Sequence, residues 1–192
     1  MTFIKNFILR NRSKQIARIS CNLDYLKFGA EKFQFGAKIL DIGAGSGHIS
    51  EILSQEGFKV MMVDTANYNQ TDLPLTIYDG KKLPFRNGQF DFALLVSVLH
   101  HCTDPKELLK EAKRVAKKVI ILEDTVNSFF DRLIITFIDN LDKYLGYAKC
   151  YHIHNYLSNN QLKKIISDCE IMDFKILWNS FHIFKRVLVV YQ

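Results

Sequence analysis

Three absences limit what this sequence can encode. The chain has no C-x-x-C pair, and its four cysteines are scattered at Cys21, Cys102, Cys150 and Cys169. Such a distribution fits reduced thiols in a cytoplasmic protein better than a disulfide framework or a zinc site. No apolar run reaches the roughly 20 residues of a membrane-spanning helix. Arg10, Arg12 and Lys14 interrupt the apolar start before the core of a secretory signal forms, so we expect a cytoplasmic location.

The overall composition is that of an ordinary globular protein. Hydrophobic residues make up 48% of the 192 residues and charged residues 24%, a length and composition that suit one α/β domain. No internal repeat or low-complexity segment is visible. The net charge of +6 is a mild basic bias. It is compatible with an anionic substrate, RNA or a membrane surface, and it selects none of them.

The most informative stretch is Lys38–Ser50, with the sequence KILDIGAGSGHIS. A short apolar strand, a glycine-rich turn and the start of a helix together predict the first βα unit of an open parallel sheet. Such a turn lets a ligand approach the main chain, and the following helix points its unpaired N–H groups at that ligand. A dinucleotide fingerprint would need glycine where His48 stands, and a phosphate-binding Walker loop would need a lysine after the turn.

A second candidate binding residue ends the next predicted strand. Residues 58–64, FKVMMVD, are almost entirely apolar, as in a strand buried on both faces, and they end in Asp64. A carboxylate at this position of a doubly wound sheet can accept both ribose hydroxyls of a nucleoside. The alternative is an ordinary helix N-cap at the start of the DTAN sequence.

Two further segments carry motifs that make the pattern more specific. Residues 79–91 contain D-x-x-x-L-P-F, an Asn-Gly turn and the Phe-Asp that opens a strand, and residues 99–105 read L-H-H-x-x-D-P. Together with Asp41-x-Gly43-x-Gly45-x-Gly47, these motifs resemble class I S-adenosylmethionine-dependent methyltransferases, in the branch typified by ubiquinone- and menaquinone-pathway enzymes. The resemblance extends from about residue 37 onward and is densest in residues 38–105.

The resemblance implies a fold, a cofactor and a set of binding residues. The implied fold is a single-domain Rossmann-like doubly wound sheet, with seven strands, an antiparallel last strand and helices on both faces. The implied cofactor is S-adenosylmethionine, with Asp64 on the ribose and Asp79 on the adenine amino group. The residues expected to bind it are Asp41, Gly43, Ala44, Gly45, Gly47, Asp64, Thr65, Asp79, Gly80 and Ser97.

His100 and His101 follow the fourth predicted strand, where the transferable group of the cofactor is expected. Either histidine could serve as a general base, because imidazole titrates in a suitable range. The alternative is that one packs against the cofactor and the other bonds a backbone carbonyl. No metal site is expected, since His152 and His154 have no carboxylate at ligand spacing nearby.

The rest of the chain predicts four parts of one domain. Residues 1–36 form an amphipathic helical cap, with a membrane-surface or anion-binding arm in residues 1–20 as the alternative. Residues 37–124 form the cofactor-binding core. Residues 125–157 form a substrate lid, a plain cover for the sheet or a dimer face. Residues 158–192 add a helix and a β-hairpin.

The expected activity is methyl transfer to a small-molecule or lipid-like acceptor by in-line displacement. Two alternatives stay open: a methyltransferase acting on tRNA or protein, and a non-catalytic module that binds S-adenosylmethionine. The basic cluster between Lys106 and Lys118 suits an RNA patch or a solvated helix surface. The identity of the acceptor atom and the oligomeric state do not follow from the sequence.

Overall fold

A computed structural model describes residues 35–144, 155–167, 171–178 and 185–191. The N-terminal cap, apart from its last two residues, and the His152–His154 pair therefore lie outside the described residues. So does the arm at residues 1–20. Within the described ranges, we find no helix with both the length and the apolar content needed to cross a bilayer.

The described elements alternate between strands and helices along most of the chain. The strands are β1 Lys38–Ile42, β2 Lys59–Asp64, β3 Leu75–Ile77, β4 Phe90–Val96, β5 Ala116–Thr125, β6 Ile171–Trp178 and β7 Lys185–Tyr191. The α-helices are α1 His48–Gln55, α2 Pro105–Val115, α3 Phe129–Tyr144 and α4 Asn159–Ile165. A short 3₁₀ turn, Leu99–His101, follows β4.

These strands lie in one sheet in the order β3-β2-β1-β4-β5-β7-β6. The pairs formed among β1 to β5 are parallel, whereas β7 runs antiparallel to both β5 and β6. The expected Rossmann-like fold with a mixed sheet is confirmed. The strand order reverses between β1 and β4, which is where ligands bind in sheets of this kind.

The sheet has an apolar core on each face. One core joins Leu40, Ile42 and Leu95 to the inner faces of α2 and α4, and the other joins Ile39 and Leu94 to Leu53 of α1. Ile39, Leu40, Ile42, Leu94 and Leu95 are all fully buried. Burial on both faces explains why these strands are continuously apolar in sequence.

The junction between α2 and β5 differs slightly from the expectation. Sequence periodicity predicts a helix to Ala116 and a strand from Val119, whereas the helix ends at Val115 and the strand begins at Ala116. The reason is pairing with β4, in which Ala116 lies opposite Phe90 and Lys118 opposite Phe92. Strand pairing therefore takes over directly at the end of the helix.

Candidate active site

The predicted site residues meet at the carboxyl edge of the parallel strands. The glycine turn follows β1, Asp64 ends β2, Asp79 lies just beyond β3 and Ser97 just beyond β4. The N–H of Tyr78 donates to the carbonyl oxygen of Asp64 at 3.0 Å, which holds the segments after β2 and β3 side by side. The sheet thus brings together four segments that are far apart in sequence.

The three glycines of the turn have different surroundings. A Cβ added to Gly43 would lie 2.8 Å from Val98 Cγ2, and one added to Gly47 would lie 2.7 Å from Asn69 Oδ1. A Cβ on Gly45 would meet no atom within 4 Å. Gly43 and Gly47 therefore allow neighbouring segments to pack closely, whereas Gly45 exposes bare main chain to open space.

Asp64 lies directly against this turn. Its side chain is 9% exposed, and its Oδ2 accepts a 2.9 Å hydrogen bond from the N–H of Gly45. Its Oδ1 accepts from the N–H of Thr65 at 2.7 Å. Residues 65–74 form no helix, so the alternative role of Asp64 as a helix N-cap is wrong. Its expected contact with the ribose remains a prediction.

Asp41 lies beneath the turn and not at its surface. It is 3% exposed, and the hydroxyl of Ser50 donates to its Oδ2 at 2.6 Å, which ties β1 to α1. Burial raises the pKa of Asp41; the Ser50 hydrogen bond opposes this effect, the negative charge of Asp64 adds a smaller increase, and the net pKa is about 6. Direct contact between Asp41 and a cofactor also remains a prediction.

Asp79 opens the loop between β3 and β4. Its Oδ1 accepts hydrogen bonds from the N–H groups of Lys81 at 2.9 Å and Lys82 at 3.1 Å, and these bonds hold the pKa of this exposed carboxyl below its usual value. The turn-forming role that an Asp-Gly pair favours is thus present. A Cβ on Gly80 would lie 3.2 Å from Thr65 Cγ2, so this loop borders the segment that follows Asp64.

Arg114 fixes the next part of that loop, and the sequence did not reveal this role. Its guanidinium donates to the carbonyl oxygens of Leu83 at 2.9 Å and Phe85 at 2.8 Å, and it pairs with Glu111 at 2.7 Å. Glu111 in turn accepts from the N–H of Leu83 at 2.9 Å. The sequence placed Arg114 in a surface cluster of cations. Its position three residues after Glu111 on a helix was the available signal for the pair.

The segment after β4 has a tight backbone. Ser97 has a φ of 54°, a left-handed conformation that is uncommon outside glycine, and its N–H donates to the carbonyl oxygen of Leu122 at 2.8 Å. Strained backbone of this kind occurs often at functional sites. It turns the chain sharply from β4 into the Leu99–His101 turn.

His100 is held by a buried carboxylate that sequence reasoning missed. Its Nδ1 lies 2.5 Å from Oε1 of Glu123 in β5, and the exposures of the two residues are 5% and 0%. Neither alternative expected for His100, packing on the cofactor or bonding a backbone carbonyl, includes this partner. The acidic end of the β5 sequence, Glu123-Asp124, was the available signal. His101 is half-buried, with its ring centroid 4.0 Å from that of His100.

Part of the predicted lid reaches this histidine. The ring of Tyr156 stacks on that of His100 with centroids 4.6 Å apart, and the N–H of Asn155 donates to the carbonyl oxygen of His100 at 2.8 Å. In α3, Ile135 packs on Val126 and Tyr156. The opposite face of α3 presents a stripe of exposed apolar side chains: Phe129, Phe130, Leu133, Ile134 and Phe137.

Comparison with known proteins identifies a family for the central part of the chain. Residues 40–121 match the family described as "Methyltransferase domain". The chain is 31% identical over 105 residues to a ubiquinone biosynthesis O-methyltransferase of Caulobacter, a match that covers 48% of this chain and 42% of that protein. Residues 40–121 therefore carry a methyltransferase domain of the class I S-adenosylmethionine-dependent type. The chain spans about two fifths of the length of the Caulobacter relative that it matches.

Two broader similarities accompany this match. A Methanocaldococcus jannaschii protein of unassigned function is 28% identical over 157 residues, which covers 77% of this chain and 69% of that protein. A solved S-adenosylmethionine-dependent methyltransferase of Methanosarcina mazei superposes with a TM-score of 0.66 at 20% identity. The superposition covers 86% of this chain and 96% of the Methanosarcina mazei chain. At that identity the structural likeness supports the fold alone.

The chemistry of the candidate site suits S-adenosylmethionine. Gly45 leaves room beside its main chain, and the adjacent Asp64 carboxylate suits a ribose diol with no 2′-phosphate. Within the described ranges, no group of three or more His, Cys, Asp or Glu side chains is arranged to hold a metal ion.

Proposed function

We propose that this protein transfers a methyl group from S-adenosylmethionine to a small-molecule or lipid-like acceptor by in-line displacement. One observation supports the donor above all: the Asp64 carboxylate lies 2.9 Å from the Gly45 nitrogen, where bare main chain faces open space at the strand-order reversal. When bound, S-adenosylmethionine supplies an electrophilic methyl group on a cationic sulfur. The glycine turn lacks the lysine of a Walker loop and the glycine spacing of a dinucleotide fingerprint, so its sequence favours S-adenosylmethionine over those two ligand classes.

In this proposal, residues of the chain bind, orient and exclude water. Asp64 accepts the ribose hydroxyls, and the loop from Asp79 to Phe85 closes on the adenine side. The segment after β4, from Ser97 to His101, borders the acceptor. No covalent nucleophile is required, because holding the acceptor atom in line with the methyl group in a dry pocket supplies much of the acceleration.

An apolar acceptor is supported by the surroundings of the segment after β4. Tyr156 covers the ring of His100, Ile135 of α3 packs on Tyr156, and the opposite face of α3 presents the exposed apolar stripe. Long exposed apolar patches indicate interaction sites. We propose that α3 and the segment leading into α4 form the lid over the acceptor. The quinone-pathway activity of the Caulobacter relative supports an acceptor of this apolar kind.

The tRNA alternative rests on the basic cluster between Lys106 and Lys118, and two cations of that cluster already have partners within the protein. Arg114 is committed to the Leu83–Phe85 loop, and Lys117 pairs with Asp91 at 2.8 Å. Exposed lysines of α2 remain a candidate phosphate contact. Steeply salt-dependent tRNA binding would favour this alternative.

We propose a cytoplasmic location, on the basis of the scattered cysteines, of which Cys102 is a free thiol.

Calorimetric titration with S-adenosylhomocysteine, with NADH as the control ligand, tests the donor. We expect micromolar binding of S-adenosylhomocysteine alone. Asp64→Ala should weaken it at least tenfold, because two charge-assisted hydrogen bonds of about 1.5–3 kcal/mol each are lost before water competes. Asp72→Ala, an exposed acid in the segment after Asp64, is the matched control and should bind normally. Binding of Asp64→Ala within about twofold of the native protein would refute the ribose contact.

A further inference from the structure

We propose that Asn69 is a positioning residue for the donor: it stabilises the conformation of the glycine turn from outside and thereby sets the affinity for S-adenosylmethionine. The inference rests on the cofactor binding proposed above and adds to it a residue that acts through the turn. Its starting observation is a set of hydrogen bonds on the Asn69 side chain, in a segment that packs on Gly47.

The connection between β2 and β3 is unusual for two parallel strands. Neighbouring parallel strands are usually joined by a helix that packs on the sheet. Here only ten residues, 65–74, join the end of β2 to the start of β3, and they form no helix. Asp64, the expected ribose ligand, lies directly before this connection. Since the segment has no helical hydrogen bonds, other contacts must hold it against the sheet.

Asn69 supplies three of those contacts. Its Oδ1 accepts from the N–H and from the hydroxyl of Thr71, both at 2.9 Å, and its Nδ2 donates to the carbonyl oxygen of Leu73 at 2.7 Å. Thr71 Oγ1 in turn accepts from the N–H of Leu73 at 3.3 Å. Only one orientation of the side-chain amide satisfies a backbone N–H at one end and a carbonyl oxygen at the other. The half-buried Asn69 therefore closes residues 69–73 into a compact turn.

This compact turn lies directly against the glycine turn. A Cβ added to Gly47 would lie 2.7 Å from Asn69 Oδ1 and 3.1 Å from Thr71 Oγ1. The N–H of Gln70 donates to the carbonyl oxygen of Ser46 at 3.0 Å. The residues that Asn69 organises are thus the ones that contact the glycine turn, and the contact is close because Gly47 has no side chain.

The glycine turn connects this contact to the donor site. Ser46 lies between Gly45 and Gly47, and the N–H of Gly45 donates to Asp64 Oδ2 at 2.9 Å. Because peptide groups are planar and rigid, a displaced Ser46 carbonyl changes the backbone on both sides of it. Gly45 and Asp64 are the groups proposed above to face the nucleoside, so Asn69 affects binding through the turn.

The first test is the affinity of Asn69→Ala for S-adenosylhomocysteine, measured by calorimetry, with Asn67→Ala as the matched control. Asn67 is an exposed asparagine of the same segment, and its Oδ1 accepts a single 3.2 Å hydrogen bond from the N–H of Asn69. Among the described residues, Ser97 is the one non-glycine residue with a positive φ, so alanine fits the backbone at both positions. We expect Asn69→Ala to weaken binding about tenfold and Asn67→Ala to bind within about twofold of the native protein.

The second test combines these substitutions with Gly47→Ala. In the native background the new methyl group would displace Asn69 Oδ1, whereas in the Asn69→Ala background that clash is absent. We therefore expect the two losses of affinity to be non-additive, with the double variant binding at least about threefold more tightly than the product of the single losses requires. The losses from Asn67→Ala and Gly47→Ala should be additive. Additive losses for Asn69→Ala and Gly47→Ala would overturn the proposal.

The third test needs no ligand. Amide hydrogen exchange in the ligand-free protein reports on the N–H groups of Gln70 and Gly45, which donate to Ser46 and to Asp64. We expect both amides to exchange faster in Asn69→Ala, with no change at Leu94 in the centre of the sheet. Equally faster exchange at all three amides would give Asn69 a purely structural role.

The remaining outcomes distinguish this inference from the proposed function. If folded Asn69→Ala bound S-adenosylhomocysteine within about twofold of the native protein, or if exchange at Gly45 were unchanged, the proposal would be overturned. An equal loss of affinity in Asn67→Ala would overturn the specific role of Asn69. Failure of the native protein to bind S-adenosylhomocysteine would refute the proposed function and the effect on affinity. The exchange measurement would still decide whether Asn69 stabilises the glycine turn.

Discussion

At the scale of single residues, Asp41 shows how the fold perturbs an acid. The carboxyl is buried under the glycine turn with Ser50 as its hydrogen-bond partner, and Asp64 lies close enough to raise its pKa further. Because burial disfavours the charged form, the pKa rises from 3.8 to about 6. Near neutral pH this carboxylate therefore reduces the stability of the fold.

Asp41→Asn should remove that effect. Between the unfolded pKa of 3.8 and the folded value of about 6, the native state binds the proton more tightly. The free energy of unfolding of the native protein therefore falls as pH rises through this window and stays lower above it. We expect the variant to lack this contribution and to be more stable at neutral pH, by on the order of 2–3 kcal/mol. Urea unfolding at several pH values measures the free energy of unfolding of the native protein and the variant. If both free energies changed with pH in parallel, the prediction would be contradicted.

Gly47 shows a second single-residue constraint, namely space. Its φ is 78°, and a Cβ there would lie 2.7 Å from Asn69 Oδ1 and 3.1 Å from Met62 Sδ. The segment after β2 packs on the turn at this point, with the N–H of Gln70 donating to the carbonyl oxygen of Ser46 at 3.0 Å. A side chain would separate the turn from that segment.

Gly47→Ala should therefore destabilise the protein more than backbone strain alone does. Gly36→Ala is the matched control, because Gly36 has the same φ of 78° and no atom within 4 Å of an added Cβ. We expect Gly36→Ala to lower the free energy of unfolding by about 1–2 kcal/mol, and Gly47→Ala to lower it by about 1–3 kcal/mol more. Chemical unfolding of both variants gives the difference. Equal losses would show that crowding at Gly47 has no energetic weight.

At the scale of elements, the loop from residue 79 to residue 89 has no helix or strand of its own, yet it is held in a defined place. Its shape comes from α2, whose Arg114 bonds the carbonyl oxygens of Leu83 and Phe85 and the side chain of Asn87. Bonds from a helix to a loop position that loop on a rigid support.

Arg114→Met should loosen this loop. We expect a stability loss of about 2 kcal/mol, because several hydrogen bonds from a charged donor are removed at once and Glu111 loses its ion-pair partner. The amides of Leu83 and Phe85 should exchange hydrogen faster, and S-adenosylhomocysteine should bind more weakly. Lys110→Met is the control, because Lys110 is an exposed cation on the same helix whose ion-pair partner, Glu107, is also exposed. If hydrogen exchange at the Leu83 amide were unchanged in a folded variant, contacts other than those of Arg114 would hold the loop in place.

At the scale of the whole molecule, the candidate site is distributed over the ends of β1, β2, β3 and β4. A ligand that touches all four ends binds the folded protein and not the unfolded chain. Its binding free energy therefore adds to the stability of the entire domain.

S-adenosylhomocysteine should accordingly raise the unfolding temperature in a concentration-dependent way. At 100 times its Kd, the added stability is about 2.7 kcal/mol, which corresponds to roughly 5–10 °C for a domain of this size. Differential scanning calorimetry with increasing ligand measures the shift, and NADH is the control. A shift equal to that with NADH, or no shift under conditions where calorimetry shows binding, would contradict a site that joins these strands.

The sequence alone determined the order and type of the elements and much of the candidate site. Apolar strands that end in Gly43-x-Gly45-x-Gly47 and in Asp64 are local patterns, because burial on both faces and tight turns each require particular residue types. The Asp104-Pro105 start of α2 is local in the same way: Oδ1 of Asp104 accepts from the N–H of Glu107 at 3.1 Å. These features need no information about distant parts of the chain.

Only the tertiary structure decided which residues become neighbours. It separated Gly45, which faces open space, from Gly47, which packs on Asn69, and it buried Asp41 beneath the turn. It joined Arg114 to Leu83 and Glu123 to His100, which are 31 and 23 residues apart. Local sequence cannot encode such pairs, because they depend on where the sheet order and the helix packing place the loop, the turn and the strand. That physical dependence is why the histidine was predictable from its motif and its carboxylate partner was not.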